Sequence, residues 1–318
     1  MKHMKKLFAL TLTLALTLSF TGCSASSEAP ETKTSETEGM AALPTVDPSG
    51  APITVPENIE TIAVLSPTLA QEVIALGFGD KIVAHDLQSV GLSGLPECDV
   101  VVDFMQPDME QLAALNPDVL FVSAMTLYDQ EAPYQSLIDQ GVCVICVPTS
   151  ESIAAIKNDL TFMAAALGVS EKGGELITAM QTEIDKIAAI GETITDKKTV
   201  YFEISPAPYM YSFGNGVFLN EMIELIGAAN VLADQTGWLP VEAETIVAAN
   251  PDVILTNVNY TENPTEEIMT REGWADMTAV VNKNVFYIDN MASSSANQNI
   301  VTAMKQMAEA IYPEHYVK

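Results

Sequence analysis

Two cysteines three residues apart, Cys143 and Cys146, have the spacing of a redox pair. Such chemistry needs a thiolate of lowered pKa, usually with the first cysteine at a helix N-terminus. The surrounding GVCVICVP reads instead as a buried strand. Residues three apart in a strand face opposite sides of the sheet, so both thiols are expected to be packed and inert. With Cys23 and Cys98 they make four cysteines, too sparse for a disulfide framework. His3, His85 and His315 stand apart from the cysteines and from one another, so no metal-ligand spacing arises and no metal is expected. His85 is expected at a loop or cleft edge; ligation of a ligand's metal centre is its other option. No GxSxG elbow, phosphate-binding glycine loop or dinucleotide fingerprint occurs, and Phe213-Gly214-Asn215-Gly216 fits a turn. An enzyme is not expected, although so acidic a chain leaves a catalytic carboxylate pair open.

The N-terminus supplies a different chemistry. Lys2, Lys5 and Lys6 precede an apolar, almost uncharged run from Leu7 to Phe20, the pattern of an export signal. A spanning helix needs ~20 apolar residues, so a retained anchor helix is the weaker alternative. Thr21-Gly22-Cys23 resembles the lipobox of bacterial lipoproteins. That resemblance implies cleavage before Cys23 and diacylation of its sulfur. Two acyl chains anchor far better than one, so the exported chain would be held at a membrane face. The 42 acidic residues against 14 basic, with Arg271 the only arginine, argue against a nucleic-acid or anionic-surface partner.

These residues need positioning elements. Residues 1–22 are the expected signal, and 23–56, rich in Ser, Thr, Glu and Pro, a disordered tether. From there strand and helix patterns alternate over short loops, the mark of a three-layer α/β lobe at 57–168. LITAMQTEIDKIAAI carries the apolar stripe of a long helix, expected as a connector at 169–196. Alternation resumes in a second lobe at 197–318. The halves echo each other: EQLAALNPDVLFVS (Glu110 to Ser123) aligns with ETIVAANPDVILTN (Glu244 to Asn257). In each NPD unit the Asn ends a helix, the Pro cannot continue it and the Asp turns the chain into a strand. The expected fold is α/β: two Rossmann-like three-layer lobes joined by a single long helix, with a ligand cleft between them.

The order of AVLSPTLAQEVIALG, MEQLAALNPDVLFV, FLNEMIELIGAANVLAD and VEAETIVAANPDVILTN resembles substrate-binding lipoproteins of ABC importers, of the class serving cobalamin, haem and ferric siderophores. The resemblance covers about Glu57 to Tyr316. It implies a monomeric, lipid-anchored binding protein on the extracytoplasmic face of the cell membrane, whose partners are a permease and its ATPase. Family members present one glutamate per lobe to permease arginines, and Glu110 and Glu244 match those positions, each seven residues before the proline of NPD. Both also suit a helix N-terminus as ordinary first-turn acids.

The resemblance places ligand in the cleft at the strand ends, which is also the physical default for α/β lobes. The strand-end loops hold Phe104, Met105, Tyr128, Tyr209, Tyr211, Phe213, Trp238 and Tyr260 as apolar candidates, with Ser66, Asp86, Ser294 and Asn297 as polar ones. Tyr128, Tyr211 and Trp238 are the favoured contacts. Haem and siderophore binders of this class often carry cleft arginines. Here the segment before the last helix reads SSSANQN, offering hydroxyls and amides. An anion without a cationic partner is costly to bury, so a neutral, amide-rimmed corrinoid is the expected transport ligand, with no resident cofactor. Lysines can stand in for arginines, which keeps a ferric siderophore or haem open.

Overall fold

The computed structural model describes residues 42–127 and 134–317. In the first lobe, β1 (Ile62–Val64), β2 (Ile82–Asp86), β3 (Val100–Val102), β4 (Val119–Ser123) and β5 (Cys143–Val147) pair in parallel, in the order β3-β2-β1-β4-β5. Helices α1 (Pro67–Ala75), α2 (Met109–Leu115), α3 (Gln135–Asp139) and α4 (Ile153–Ala166) connect and cover it, and α5 (Ser170–Gly191) leads out. The second lobe holds β6 (Thr199–Glu203), β7 (Tyr211–Phe213), α6 (Phe218–Leu225), β8 (Ala229–Asn230), β9 (Trp238–Pro240), α7 (Ala243–Ala249), β10 (Val253–Thr256), α8 (Pro264–Thr270), α9 (Thr278–Val281) and β11 (Val285–Tyr287). Helices α10 (Asn290–Ser294), α11 (Ile300–Ile311) and α12 (Pro313–Tyr316) close the chain. Its parallel sheet runs β11-β10-β6-β8, and β7 and β9 form a separate antiparallel ribbon.

Without β3, the two parallel sheets have the same spatial order: β2-β1-β4-β5 and β8-β6-β10-β11. The sequence repeat is therefore a structural one, and its NPD units are built identically. Asn116 and Asn250 end α2 and α7 in the left-handed conformation, with φ of 45° and 46°, which Asn tolerates better than most residues. The following aspartates then staple the neighbouring strand. Asp118 Oδ2 accepts from the backbone N–H and hydroxyl of Thr61 at 2.9 and 3.1 Å, and Asp252 Oδ2 accepts the same pair from Thr199 at 2.8 Å each. In return each threonine hydroxyl accepts the aspartate N–H at 3.1 Å.

Strand alternation puts Cys143, Ile145 and Val147 in one core layer and Cys146, with Val142, in the layer on the opposite face of the sheet. Both thiols are free, and burial pushes each up to about 11. Neither suits redox chemistry.

Helix α5 crosses from one core to the other: Leu176 packs on the first lobe, and Met180, Ile184 and Ile187 join the second. Helix α4 lies beside it, and its Ile153, Ile156 and Leu160 also enter the second lobe's core. Two glycines pin the connector. A Cβ on Gly173 would meet the Ala164 Cβ at 2.3 Å, and one on Gly191 the Leu225 carbonyl at 2.1 Å. No side chain fits at such distances, so α5 is held close to α4 at one end and to α6 at the other.

Residues 42–56, expected in the tether, are part of the first lobe. Leu43, Ile53 and Val55 pack on its core, and Asp47 Oδ2 accepts the Cys146 backbone N–H at 2.9 Å. Their apolar side chains are few and sit among Pro, Ser and Gly, which hides them in the composition. Among the described residues no helix is long and apolar enough to cross a membrane. The expected signal and Cys23 lie outside those residues.

Candidate functional site

The carboxyl ends of all five first-lobe strands open onto one cavity of about 310 Å³. Ser66 follows β1, Gln88 follows β2, Phe104 follows β3, Ser123 ends β4 and Val147 ends β5. The opposite wall comes from the second lobe: Asn290, Met291 and Ser294 of α10, then Ser295 and Ala296. The volume is at the low end of the roughly 300–1,000 Å³ of small-molecule pockets.

Three expected contacts line it: Ser66, Phe104 and Ser294. The Ser294 hydroxyl is oriented by Asn257, whose Nδ2 donates to it at 3.1 Å. Segment 290–297, expected as a loop, begins with helix α10, capped by Asp289, whose carboxylate accepts the Ala292 N–H at 2.7 Å. The cap overcomes the poor helix propensity of consecutive serines.

Other candidates serve the fold. Phe213 is fully buried between Phe202 and Trp238, at ring-centroid separations of 5.6 and 5.8 Å. It is a core residue, because β7 turns it inward beneath the ribbon. Trp238 stands edge-on to Phe213 and Phe218 and is only partly exposed, off the cavity wall. Asp86 is buried and caps the turn after β2, accepting from Gln88 N at 2.8 Å and from the Ser89 hydroxyl. Asn297 is buried between the lobes. Its Nδ2 donates to Thr68 O at 3.1 Å and Gln71 Oε1 at 2.7 Å, and Asn299 also donates to Gln71 Oε1, at 2.9 Å. The amides expected for the ligand thus latch the second lobe to α1. His85 is buried in β2, its Nδ1 donating to Asp86 O at 2.8 Å, and it does not line the cavity. Tyr128 lies outside the described residues.

Tyr209 and Tyr260 are exposed on loops that follow β6 and β10, whereas Tyr211, expected on a strand-end loop, is the first residue of β7 and pairs with Pro240 in the ribbon; all three are away from the cavity wall. Tyr260 reaches Ser205 at 3.4 Å. Met105, Leu87, Val90 and Met125 are exposed on the matching loops of the first lobe. Both lobes therefore show exposed apolar side chains near their strand ends.

The electrostatics of the cavity were not legible in the loops, because its charges come from helices. Glu72 of α1 and Asp159 of α4 line it, and none of the described lining residues is Lys, Arg or His. The sequence of 128–133, YDQEAP, adds no basic residue. Glu72 is 1% exposed and its Oε2 has no hydrogen-bond partner. Burial, and then the charge of Asp159, hold its carboxyl well above the ordinary range. Burial also raises Asp159, against the pull of the Ser150 hydroxyl, which donates to it at 2.5 Å. A signal existed. Leu69, Glu72, Val73 and Leu76 share one helix face, as do Ile156, Asp159, Leu160 and Met163. Each acid occupies the second place of an i, i+3, i+4, i+7 apolar stripe.

The sole arginine is spent elsewhere. Arg271 makes a bidentate pair with buried Glu203, at 2.6 and 2.9 Å, and a second with Glu267. Its guanidinium stacks 4.2 Å from the centroid of Trp274. Burial opposes its charge, and the carboxylate hydrogen bonds outweigh that.

Glu110 and Glu244 are exposed, each the second residue of its seven-residue helix, at equivalent points of the two lobes. Asp108 caps α2, accepting from Glu110 N and Gln111 N at 3.0 Å each, whereas Glu242 gives α7 no side-chain cap.

Known proteins share this layout. An uncharacterized ABC transporter substrate-binding lipoprotein of Bacillus subtilis, YvrC, is 27% identical over 99% of both chains. The molybdate-binding protein MolA of Haemophilus influenzae is 23% identical over 83% of each. A cobalamin-binding protein of Halobacterium salinarum is 22% identical over 96% of this chain and 84% of its own. Among solved structures, a possible iron-binding, periplasmic solute-binding protein of Staphylococcus epidermidis superposes with a TM-score of 0.72. That match has 24% identity and covers 80% of this chain and all of the other. Molybdate-bound MolA also reaches a TM-score of 0.72, at 20% identity over 87% of this chain and 93% of its own. The match to the family described as periplasmic binding protein spans residues 62–292, from β1 to the α10 wall of the cavity, and the chain belongs to that family.

Proposed function

We propose that this protein is the substrate-binding component of an ABC importer, held at the extracytoplasmic membrane face through Cys23, and that its cleft captures a corrinoid for delivery to a permease and its ATPase. The observation that carries the ligand class is the charge of the cavity: two carboxyl groups, several hydroxyls and amides, and no cation among the described lining residues. Haem propionates, ferric catecholates and molybdate would each bring negative charge toward Glu72 and Asp159 without a partner. A corrinoid presents neutral primary amides around a broad apolar face. Its rim suits Ser66 and Ser294, and its width suits the exposed Tyr209, Tyr211, Tyr260 and Met105. The cavity would admit only an edge of such a macrocycle, with the larger face across the strand-end loops of both lobes.

The work is capture without a covalent step. Permease contact through Glu110 and Glu244 is part of the same reading, supported by their exposure at equivalent points of a repeated topology. Native mass spectrometry with cyanocobalamin, dicyanocobinamide, haemin and a ferric hydroxamate tests it. A one-to-one corrinoid complex is expected. Haemin or hydroxamate binding without any corrinoid complex would replace the ligand with the iron-chelate alternative, and chemical change of a bound ligand would make the protein an enzyme.

A further inference from the structure

We infer that Glu72 and Asp159 form a donor-recognition subsite on the cavity wall, taking an N–H group of the ligand, in a corrinoid one of its primary carboxamides. The inference rests on the cleft being the ligand site. Glu72 is buried, lines the cavity and leaves Oε2 without a partner. A buried unpaired oxygen is costly to keep, so its retention needs a compensating interaction. No described residue of the protein supplies one. Asp159 adds a second carboxyl on the same wall, fixed by the Ser150 hydroxyl on one oxygen.

The chemistry of the pair is selective. Carboxyl oxygens accept from amide or ammonium N–H, and the described lining residues offer an incoming carboxylate or oxyanion no cationic partner. Buried hydrogen-bonding sites discriminate strongly against groups that leave them unpaired. The pair therefore acts twice, drawing in a donor and turning away anions.

Leucine tests this, because replacing a buried unpaired carboxyl by a side chain of similar volume is tolerated or stabilising. Glu72→Leu is expected to melt at or above the wild-type temperature without ligand. It should bind dicyanocobinamide at least ~10-fold more weakly. Cobyrinic acid, which has the same macrocycle with carboxylates in place of amides, should be rejected by wild type and discriminated against less by Glu72→Leu. A second arm needs no corrinoid. With carboxyl-carbon labelling, acetamide and methylammonium should shift the Glu72 carboxyl NMR resonance and acetate should not. If cobinamide fails to bind wild type but the fragment response and raised melting temperature hold, the corrinoid reading falls and the subsite stands. If Glu72→Leu melts lower and cobinamide binds it as tightly as wild type, the carboxyl is structural and the subsite is overturned. Absence of any fragment response overturns it as well.

Discussion

Removing Arg271 separates a structural arginine from a ligand-binding one. Arg271→Met would leave Glu203, 1% exposed, as an uncompensated buried carboxylate. Breaking a buried pair by deleting one partner costs ~3–5 kcal/mol. The Glu267 pair adds little, because that carboxylate is 43% exposed. The lost stacking on Trp274 contributes about a further 0.5–1 kcal/mol. For a domain of this size each kcal/mol moves the midpoint by ~2–4 °C, so thermal melting should fall by roughly 7–24 °C at pH 7. Burial holds the Glu203 carboxyl above its ordinary range even with Arg271 present. A carboxyl raised in the folded state favours a protonated native protein, with stability greatest at low pH and lost as pH rises through the folded pKa. Loss of Arg271 raises it further, so the deficit should shrink as pH falls toward ~4. Glu203→Gln in the same chain should recover part of the loss. Melting by circular dichroism and ligand titration by calorimetry read the two effects apart. An unchanged midpoint with collapsed ligand affinity would refute the reasoning, since the guanidinium would then be meeting ligand.

Three further outcomes follow from the geometry. Reversing charge at both Glu110 and Glu244 to arginine should abolish cellular uptake while calorimetric ligand affinity stays within about twofold, as expected of exposed residues off the cavity. Asn297→Leu removes the latch donors to Thr68 and Gln71 and should cost ~1–3 kcal/mol in urea unfolding. Burial tends to raise Asp118, but backbone bonds from Glu60 and Thr61 prevail and lower it. Its stabilisation is present above the unfolded pKa of ~3.9 and lost as pH falls through the lower folded value. Asp118→Asn should therefore destabilise at pH 7 and approach wild type in an acid melt.

The lobes were readable because their elements have strong apolar periods and punctuation. The two NPD units announced the duplication. The structure adds what that unit does, through Thr61 and Thr199, which no local pattern links to aspartates more than fifty residues away. Two-residue β8 and the β7–β9 ribbon are too short to carry a period. That shortness explains why Phe213 looked like a loop aromatic beside a glycine turn. The candidate site was legible only in part. Its walls follow from strand ends, and Ser66, Phe104 and Ser294 were found there. Its charge comes from helix faces, where Glu72 and Asp159 interrupt otherwise apolar stripes. Asn297 has the chemistry of a ligand donor, but packing between lobes spends it on α1. Sequence spacing carries no information about which partner captures such an amide.

A crystal structure of the protein with dicyanocobinamide tests the central claim most directly. The account predicts the macrocycle between the lobes, an amide edge in the cavity beside Ser66, Ser294 and Glu72, and its face against the exposed tyrosines. A cavity left empty with the corrinoid bound elsewhere, or filled by a carboxylate or oxyanion beside Glu72, would contradict it.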